Sequence, residues 1–240
     1  MDAWSEIAQG WAGLWGRFAE PVWDVAVAEA GIGRGTRVLD VGCGSGEFLA
    51  YVTRLGALAA GVDPAEGMLA IARATGADVR RGDAGSLPWP DGTFDVVTAV
   101  NVLQLAEDPV AALAESGRVG RLVVVAGWAE GRRNDFDVVE AAVSLAADEE
   151  PREDGELRLS GGFERVAKQA GLDVLKAGLV EVPWRAPDDA TLVSGVLLGE
   201  DPATIAATAS TVIEAARPFR TEDGGYRLVN AFRYAVARSA

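Results

Sequence analysis

The apolar positions of residues 5–30 recur at helical spacing: Trp11, Trp15 and Phe18 stand at i, i+4 and i+7, on one face of an expected helix. Gly31-Ile-Gly-Arg-Gly ends that helix. A strand follows it, so the glycines there form a turn and not a phosphate loop. From residue 37 the period shortens. Val38-Leu-Asp-Val is a short apolar strand that runs into a glycine loop, with a helical run over 48–55. The same unit then repeats. Residues 58–62 form a strand closed by Asp63, and a helix covers 64–74. Short strands follow at 79–81 and 94–99, and a helix at 109–116. Residues 122–126 are a nearly continuous apolar run, the pattern of a strand buried on both faces of a parallel sheet. Alternating strands and helices predict an α/β, doubly wound sheet.

Beyond residue 130 the pattern loosens. Asp148-Glu-Glu-Pro-Arg-Glu-Asp-Gly-Glu predicts a solvated acidic loop, not a metal site. A helix over 163–170 stops at Gly171, a strand covers 174–182, and helices are expected over 188–198 and 202–217. The last of these has Asp201 as its N-cap and Pro202 in its first turn. Asp223-Gly-Gly is a hairpin-type turn into a closing strand over 226–236. Helices between two late strands are expected to cap the C-terminal edge of the sheet. The expected organisation is one domain: a lid helix at 1–30, a core at 31–130, and a cap with the last two strands at 131–240.

Composition narrows the chemistry. With 22 Lys and Arg against 36 Asp and Glu, the net charge is −14, which argues against a nucleic-acid partner. The single cysteine, Cys43, excludes internal disulfides and multi-thiolate metal sites. The absence of histidine excludes a Ser-His-Asp triad, a Cys-His dyad and His-ligated zinc. No metal is expected. Asp2 and Glu6 stand where a signal peptide would be basic and then apolar. The most apolar stretch, 122–129, is far shorter than the ~20 residues of a membrane span. These features predict a cytoplasmic chain without a membrane partner, as a monomer or homodimer.

Three segments carry the candidate chemistry. Gly42, Gly44 and Gly46 let the backbone approach a ligand closely. A dinucleotide loop would need glycine where Glu47 stands, so the pattern favours another ligand. Asp63 closes the next strand, at the sheet edge beside the loop, where a carboxylate can accept both hydroxyls of a ribose. Such charge-assisted bonds contribute about 1.5–3 kcal/mol each. Gly82-Asp83-Ala84 follows the third strand, ahead of Leu87-Pro-Trp-Pro-Asp-Gly-Thr-Phe-Asp-Val-Val.

In this order and spacing, these segments resemble the class I S-adenosylmethionine (SAM)-dependent methyltransferases. The resemblance runs from about residue 37 to 125, and the nearest subgroup is the small-molecule type that includes the ubiquinone and menaquinone biosynthesis methyltransferases (methyltransferase type 11). It implies a Rossmann-like seven-stranded sheet of order 3-2-1-4-5-7-6, with strand 7 antiparallel, and SAM as cofactor. By resemblance, Gly42, Gly44 and Gly46 line the amino-acid end of SAM, Asp63 takes the ribose hydroxyls and Met68 flanks the base. Asp83 binds the adenine amino group, Ala84 donates its backbone N–H to the ring, and the stretch from Asn101 to Leu105 runs beside the methionine moiety. An N-terminal helix closes over SAM and acceptor in this family. That gives Trp11, Trp15 and Phe18 a role in the acceptor site, with plain core packing as the alternative; Gln104 joins them as a candidate.

The chain also departs from the subgroup. Where a histidine pair often precedes Glu107-Asp108-Pro109, Gln104-Leu105 stands, so no histidine can abstract a proton. The helix between strands 4 and 5 is expected to be short, with the usual Pro-Gly-Gly turn reduced to Gly117-Arg-Val-Gly. Asp40, inside an apolar strand, can serve the loop amides or the ligand. Cys43 reads as a small loop filler. Gln104, Tyr51, Glu130, Asp135 and Tyr226 are the weak candidates for a base, and none stands out, so the catalytic residue is unassigned. The expected function is methyl transfer from SAM to an O, N or C nucleophile of a small molecule. The alternatives are a SAM-binding protein that does not methylate (regulatory or cyclase-like) and a protein or tRNA methyltransferase.

Overall fold

The computed structural model describes residues 2–239. Seven strands form one sheet: β1 (Arg37–Val41), β2 (Leu58–Asp63), β3 (Asp78–Arg81), β4 (Phe94–Val100), β5 (Gly120–Trp128), β6 (Leu172–Ala186) and β7 (Tyr226–Ser239). Their spatial order is β3-β2-β1-β4-β5-β7-β6. β1 to β5 are mutually parallel, and β7 runs antiparallel to both β5 and β6. The sheet is therefore the Rossmann-like methyltransferase sheet that the resemblance implies.

The uninterrupted apolar runs follow from burial on both faces. Val38, Val96 and Val124 point to one side, into a core with Trp23, Phe48 and Phe232. Their neighbours Leu39, Val97, Val123 and Val125 point to the other, against Leu113, Phe163 and Val166. Helices α2 (Glu20–Ala30) and α3 (Glu47–Arg54) supply the first layer. Helices α5 (Pro109–Val119) and α7 (Gly162–Gln169) supply the second. Each such fully buried valine or leucine contributes roughly 1.5–3 kcal/mol. Helix α4 (Glu66–Ala74) lies against β2 and β3.

Several expectations are corrected. The helix expected over 5–30 is two helices, α1 (Ala3–Leu14) and α2. Gly16 lies in the break, where a Cβ would meet Glu47 Oε1 at 2.6 Å and the Ala12 carbonyl at 2.7 Å, and Pro21 then opens α2 as a first-turn residue. Gly117 and Gly120 make no turn, because α5 runs into β5 directly. They are glycines for space. A Cβ at Gly117 would lie 2.5 Å from Leu172 Cδ2, and one at Gly120 would overlap the Val97 side chain. The last two strands are longer than expected and pair along their length, with one register shift between Val174 and Lys176. Pro183 is tolerated there because β6 is the sheet's edge.

The cap has one helix more than expected. α6 (Asp135–Ala146) joins α8 (Asp189–Val196) and α9 (Pro202–Ala215) in a separate apolar cluster with Trp15 and Trp184. Its buried Phe136 and Val139, with Val143 one turn on, sit at i, i+3 and i+7, a helical signal that the sequence reading overlooked. The acidic stretch 148–156 is exposed, but Asp154 accepts from the Gly131 amide (2.9 Å), which ties it to the start of the cap. No helix among the described residues is long and apolar enough to cross a membrane.

A Cβ on Gly120, the first residue of β5, would lie 2.3 Å from Val97 Cγ2. Gly120→Ala is expected to destabilise the fold by about 1–3 kcal/mol through overpacking against Val97. Denaturant unfolding checks this; a loss smaller than about 0.5 kcal/mol would contradict the packing described.

Candidate active site

In a doubly wound sheet, loops at the carboxyl ends of parallel strands meet where the strand order reverses. Here that point lies between β1 and β4. Gly42 follows β1, Asp63 ends β2, Asp83 follows β3 and Asn101 follows β4. The four strand ends converge on one cavity of about 230 Å³, lined by Gly42, Gly44, Asp63, Met68, Asp83, Ala84 and Asn101. Gly46 lies off this cavity, as the N-cap of α3 packed against Ala72.

The glycine loop is held by its neighbour strand. Gly42 and Cys43 donate their amides to the Val62 carbonyl (2.8 and 3.1 Å). One oxygen of Asp63 accepts from the Gly44 amide (2.9 Å) and the other from Ala65 (2.8 Å). Gly42 has φ +68°, and a Cβ on it would overlap Val102. Burial raises the Asp63 carboxyl above its usual range, against those two amide hydrogen bonds. A carboxylate offers about four acceptor sites, so two remain for a ligand. Asp83 accepts from the Gly85 amide (2.8 Å), which fixes the turn that presents Ala84. A free carboxylate edge for a vicinal diol and an apolar shelf of Val62, Met68 and Val102 together fit a nucleoside.

Asp40 does not serve the loop amides; Asp63 does. Asp40 accepts from the Thr98 hydroxyl (2.6 Å), deep between β1 and β4. Burial pushes its carboxyl up to about 7, with the Asp63 and Glu47 charges adding and the Thr98 bond opposing. It lines a recess of about 80 Å³ behind the loop, together with Glu47, Gly42, Gly44 and Asn101. Burial raises Glu47 too, against its hydrogen bond from Ser45. The Cys43 thiol is buried against Leu49 and Leu69, and burial pushes its pKa up, which suits packing and not reactivity.

A second cavity, of about 290 Å³, adjoins the first. Trp4, Trp11, Asn101 and Leu105 line both. Trp15 and Gln104 line the second, whereas Phe18 lies in the core, against Trp15 (5.1 Å), Trp128 (5.7 Å) and Phe232 (5.5 Å). Gln104 donates to Asn101 Oδ1 (2.6 Å). Asn101 holds φ +61°, an uncommon conformation outside glycine, and its amide is tied to the Ala126 carbonyl (2.7 Å). Such backbone strain concentrates at functional sites.

Helix α1 roofs both cavities. Its Ser5 hydroxyl accepts from the Gly67 amide (2.8 Å), and a Cβ at Gly67 would meet the Ser5 carbonyl at 2.5 Å. At its other end, Trp15 donates to the Gly195 carbonyl (3.2 Å) and Trp184 donates to that of Leu14 (2.8 Å). The roof is thus fastened to α4 on one side and to the cap on the other.

Of the weak base candidates, only Gln104 lines the larger cavity. Tyr51 donates to Asp24 (2.6 Å), Tyr226 donates to Asp189 (2.7 Å), and Asp135 accepts from the Val229 amide (2.7 Å). Burial alone would raise Glu130, but hydrogen bonds from Arg133 and Arg233 carry it down to about 2. Glu140, on α6, does line the cavity, and the sequence reading missed it with the helix that carries it.

Two predictions follow from this geometry. Asp40 binds its proton more tightly folded than unfolded, so between about pH 4 and 7 the wild type loses stability as pH rises. Asp40→Asn keeps the acceptor for Thr98 and removes that penalty. The variant's gain in Tm without ligand should be larger at pH 8 than at pH 5.5; an equal gain at both would contradict the shift. Gly67→Val should lift α1 from α4, exposing Trp4 and Trp11 to solvent while the sheet stays folded. Tryptophan emission should shift to the red with far-ultraviolet circular dichroism nearly unchanged.

Comparison with known proteins agrees with this geometry. Residues 39–122 match the methyltransferase domain family. The ubiquinone biosynthesis O-methyltransferase of Hahella chejuensis is 37% identical over 94 residues, covering 36% of this chain and 40% of that protein. The demethylmenaquinone methyltransferase of Mycobacterium sp. (strain KMS) is 40% identical over 101 residues, covering 40% and 44%. The match thus spans about two fifths of the length of these relatives. The crystal structure of the YcgJ protein from Bacillus subtilis superimposes with a TM-score of 0.60 at 16% identity, over 90% of this chain and 97% of that one. Residues 39–122 are thus similar to a methyltransferase domain, and the sheet order around them is that of the Rossmann-like methyltransferase fold.

Proposed function

We propose that the protein is a cytoplasmic enzyme that transfers a methyl group from SAM to an O, N or C nucleophile of a small molecule. One observation carries this reading: the nucleoside-shaped cavity and the larger aromatic cavity share the wall formed by Trp4, Trp11, Asn101 and Leu105. A cofactor in the first cavity therefore faces an acceptor in the second. SAM, when bound, supplies a methyl group on a sulfonium, displaced in line by the acceptor while the electron pair of the broken bond passes to sulfur.

The chain's own residues bind, orient and cover the reactants. In this reading, Asp63 takes the ribose hydroxyls on its two free acceptor sites, and Met68 and Val62 flank the base. Asp83 and Ala84 meet the adenine edge, and Gly42 and Gly44 lie along the amino-acid tail. The recess with Asp40 and Glu47 suits the tail's ammonium, because a cation there balances the charge of two carboxylates whose ionised form burial disfavours. Helix α1 covers both sites with Trp4 and Trp11. Alignment of two reactants is worth on the order of 7–11 kcal/mol, so transfer to a good nucleophile needs no strong base. A small acceptor is supported by the size of the aromatic cavity, about 290 Å³, and the net charge of −14 opposes an RNA acceptor.

Calorimetry tests the cofactor site. SAM affinity should fall at least about tenfold, roughly 1.4 kcal/mol, in Asp63→Ala. Unchanged affinity would remove the basis of the reading. Incubation of the wild type with methyl-labelled SAM and a metabolite panel then tests transfer; tight binding with no acceptor ever labelled would favour a protein that binds SAM without methylating.

A further inference from the structure

The larger cavity has two different ends. Its inner end is the wall shared with the cofactor cavity. At its outer end, Glu140, Arg152 and Val196 also line a wide cleft of about 570 Å³ that opens on the far side of α6. Between the ends stand the rings of Trp15, Trp128, Phe136 and Phe163.

Charge at the outer end is unevenly matched. Arg158 is engaged by Asp137 (2.5 Å), by Asp154 (3.2 Å) and by the Ala129 carbonyl (2.8 Å). Arg132, in the outer cleft, is paired with Glu130 (2.9 Å). That leaves Glu140, Glu149 and Glu200 of the cleft facing Arg152. Among the described residues, no hydrogen-bond donor reaches the Glu140 carboxylate; only the charges of Asp137, Arg152 and Arg158 act on it. A half-buried carboxylate without a partner, at the mouth of an aromatic chamber, suits a cation. Ring faces attract cations and stack on flat groups. Excess carboxylates in the outer cleft would draw a cation inward.

We infer that the acceptor is a flat, apolar amine, with its protonated amine held by Glu140 at the outer end and its nucleophilic atom at the inner end beside Asn101 and Leu105. This conclusion rests on the methyl transfer proposed above and adds the class of molecule. Glu140 is then a positioning residue, remote from the transferred methyl. Burial holds its carboxyl above the usual range, so amine binding is lost on acidification earlier than for an ordinary glutamate.

Three small molecules with one ring and different tails test this: tyramine, 4-ethylphenol and 3-(4-hydroxyphenyl)propionate. Each is titrated by calorimetry into protein saturated with S-adenosylhomocysteine. Tyramine should bind at least about tenfold more tightly than 4-ethylphenol, and the propionate most weakly. The tyramine advantage should shrink with added salt and disappear as the pH is lowered. In Glu140→Gln it should be absent at every pH, with 4-ethylphenol and S-adenosylhomocysteine bound as in the wild type. Preference for the propionate, equal or no binding of all three, or an advantage that survives in Glu140→Gln would overturn the inference while leaving methyl transfer intact. Failure to bind S-adenosylhomocysteine at all would instead overturn the functional reading, and this inference with it.

Discussion

The Asp63 carboxylate is the joint on which the site depends. It closes β2, yet one of its oxygens holds the Gly44 amide of the preceding loop and the other holds Ala65 at the entry to α4. A buried carboxylate is costly unless hydrogen-bonded, and two amide donors offset that cost. The arrangement sets the glycine loop against the second strand and leaves the outer lone pairs of the same group facing the cavity. Removing the side chain would therefore disturb both the loop and the ligand contact it offers.

A second fastening acts across the mouth of the site. Helix α1 is latched to α4 through Ser5 and Gly67, and its end is joined to the cap by Trp15 on Gly195 and Trp184 on Leu14. Trp15 also stacks on Trp184, with ring centres 4.8 Å apart. The aromatic residues near the N-terminus thus divide their work. Trp4 and Trp11 face the cavities, Trp15 reaches both cavity and cap, and Phe18 completes the core beside Phe232. A roof tied at both ends covers the space between cofactor and acceptor.

What could be read in the sequence, and what could not, follows from the range of the forces involved. The glycine loop and Asp63 were legible because each follows or closes a strand whose apolar pattern is local, and the sheet brings such ends together; Asp83 follows the short polar strand Asp78–Arg81, and Asn101 came by resemblance. Sheet order came by resemblance and not from the pattern. The break between α1 and α2 was hidden, because Trp11, Trp15 and Phe18 keep a helical spacing across it. Gly117 and Gly120 looked like a turn because only the packing of Leu172 and Val97 reveals that they serve close approach. Asp40 was legible as unusual, but its partner Thr98 lies on another strand. Glu140 was missed with its helix, whose apolar spacing at Phe136, Val139 and Val143 was overlooked, and its meaning comes from the cavity it lines.

The central claim is that one ligand spans from Asp63 to the wall shared by two cavities. A crystal structure with S-adenosylhomocysteine tests it most directly. The account predicts ribose hydroxyls on the Asp63 carboxylate and the thioether sulfur at the wall of Trp11, Asn101 and Leu105, facing the aromatic cavity. A nucleoside bound away from Asp63, or a sulfur walled off from that cavity, would contradict it.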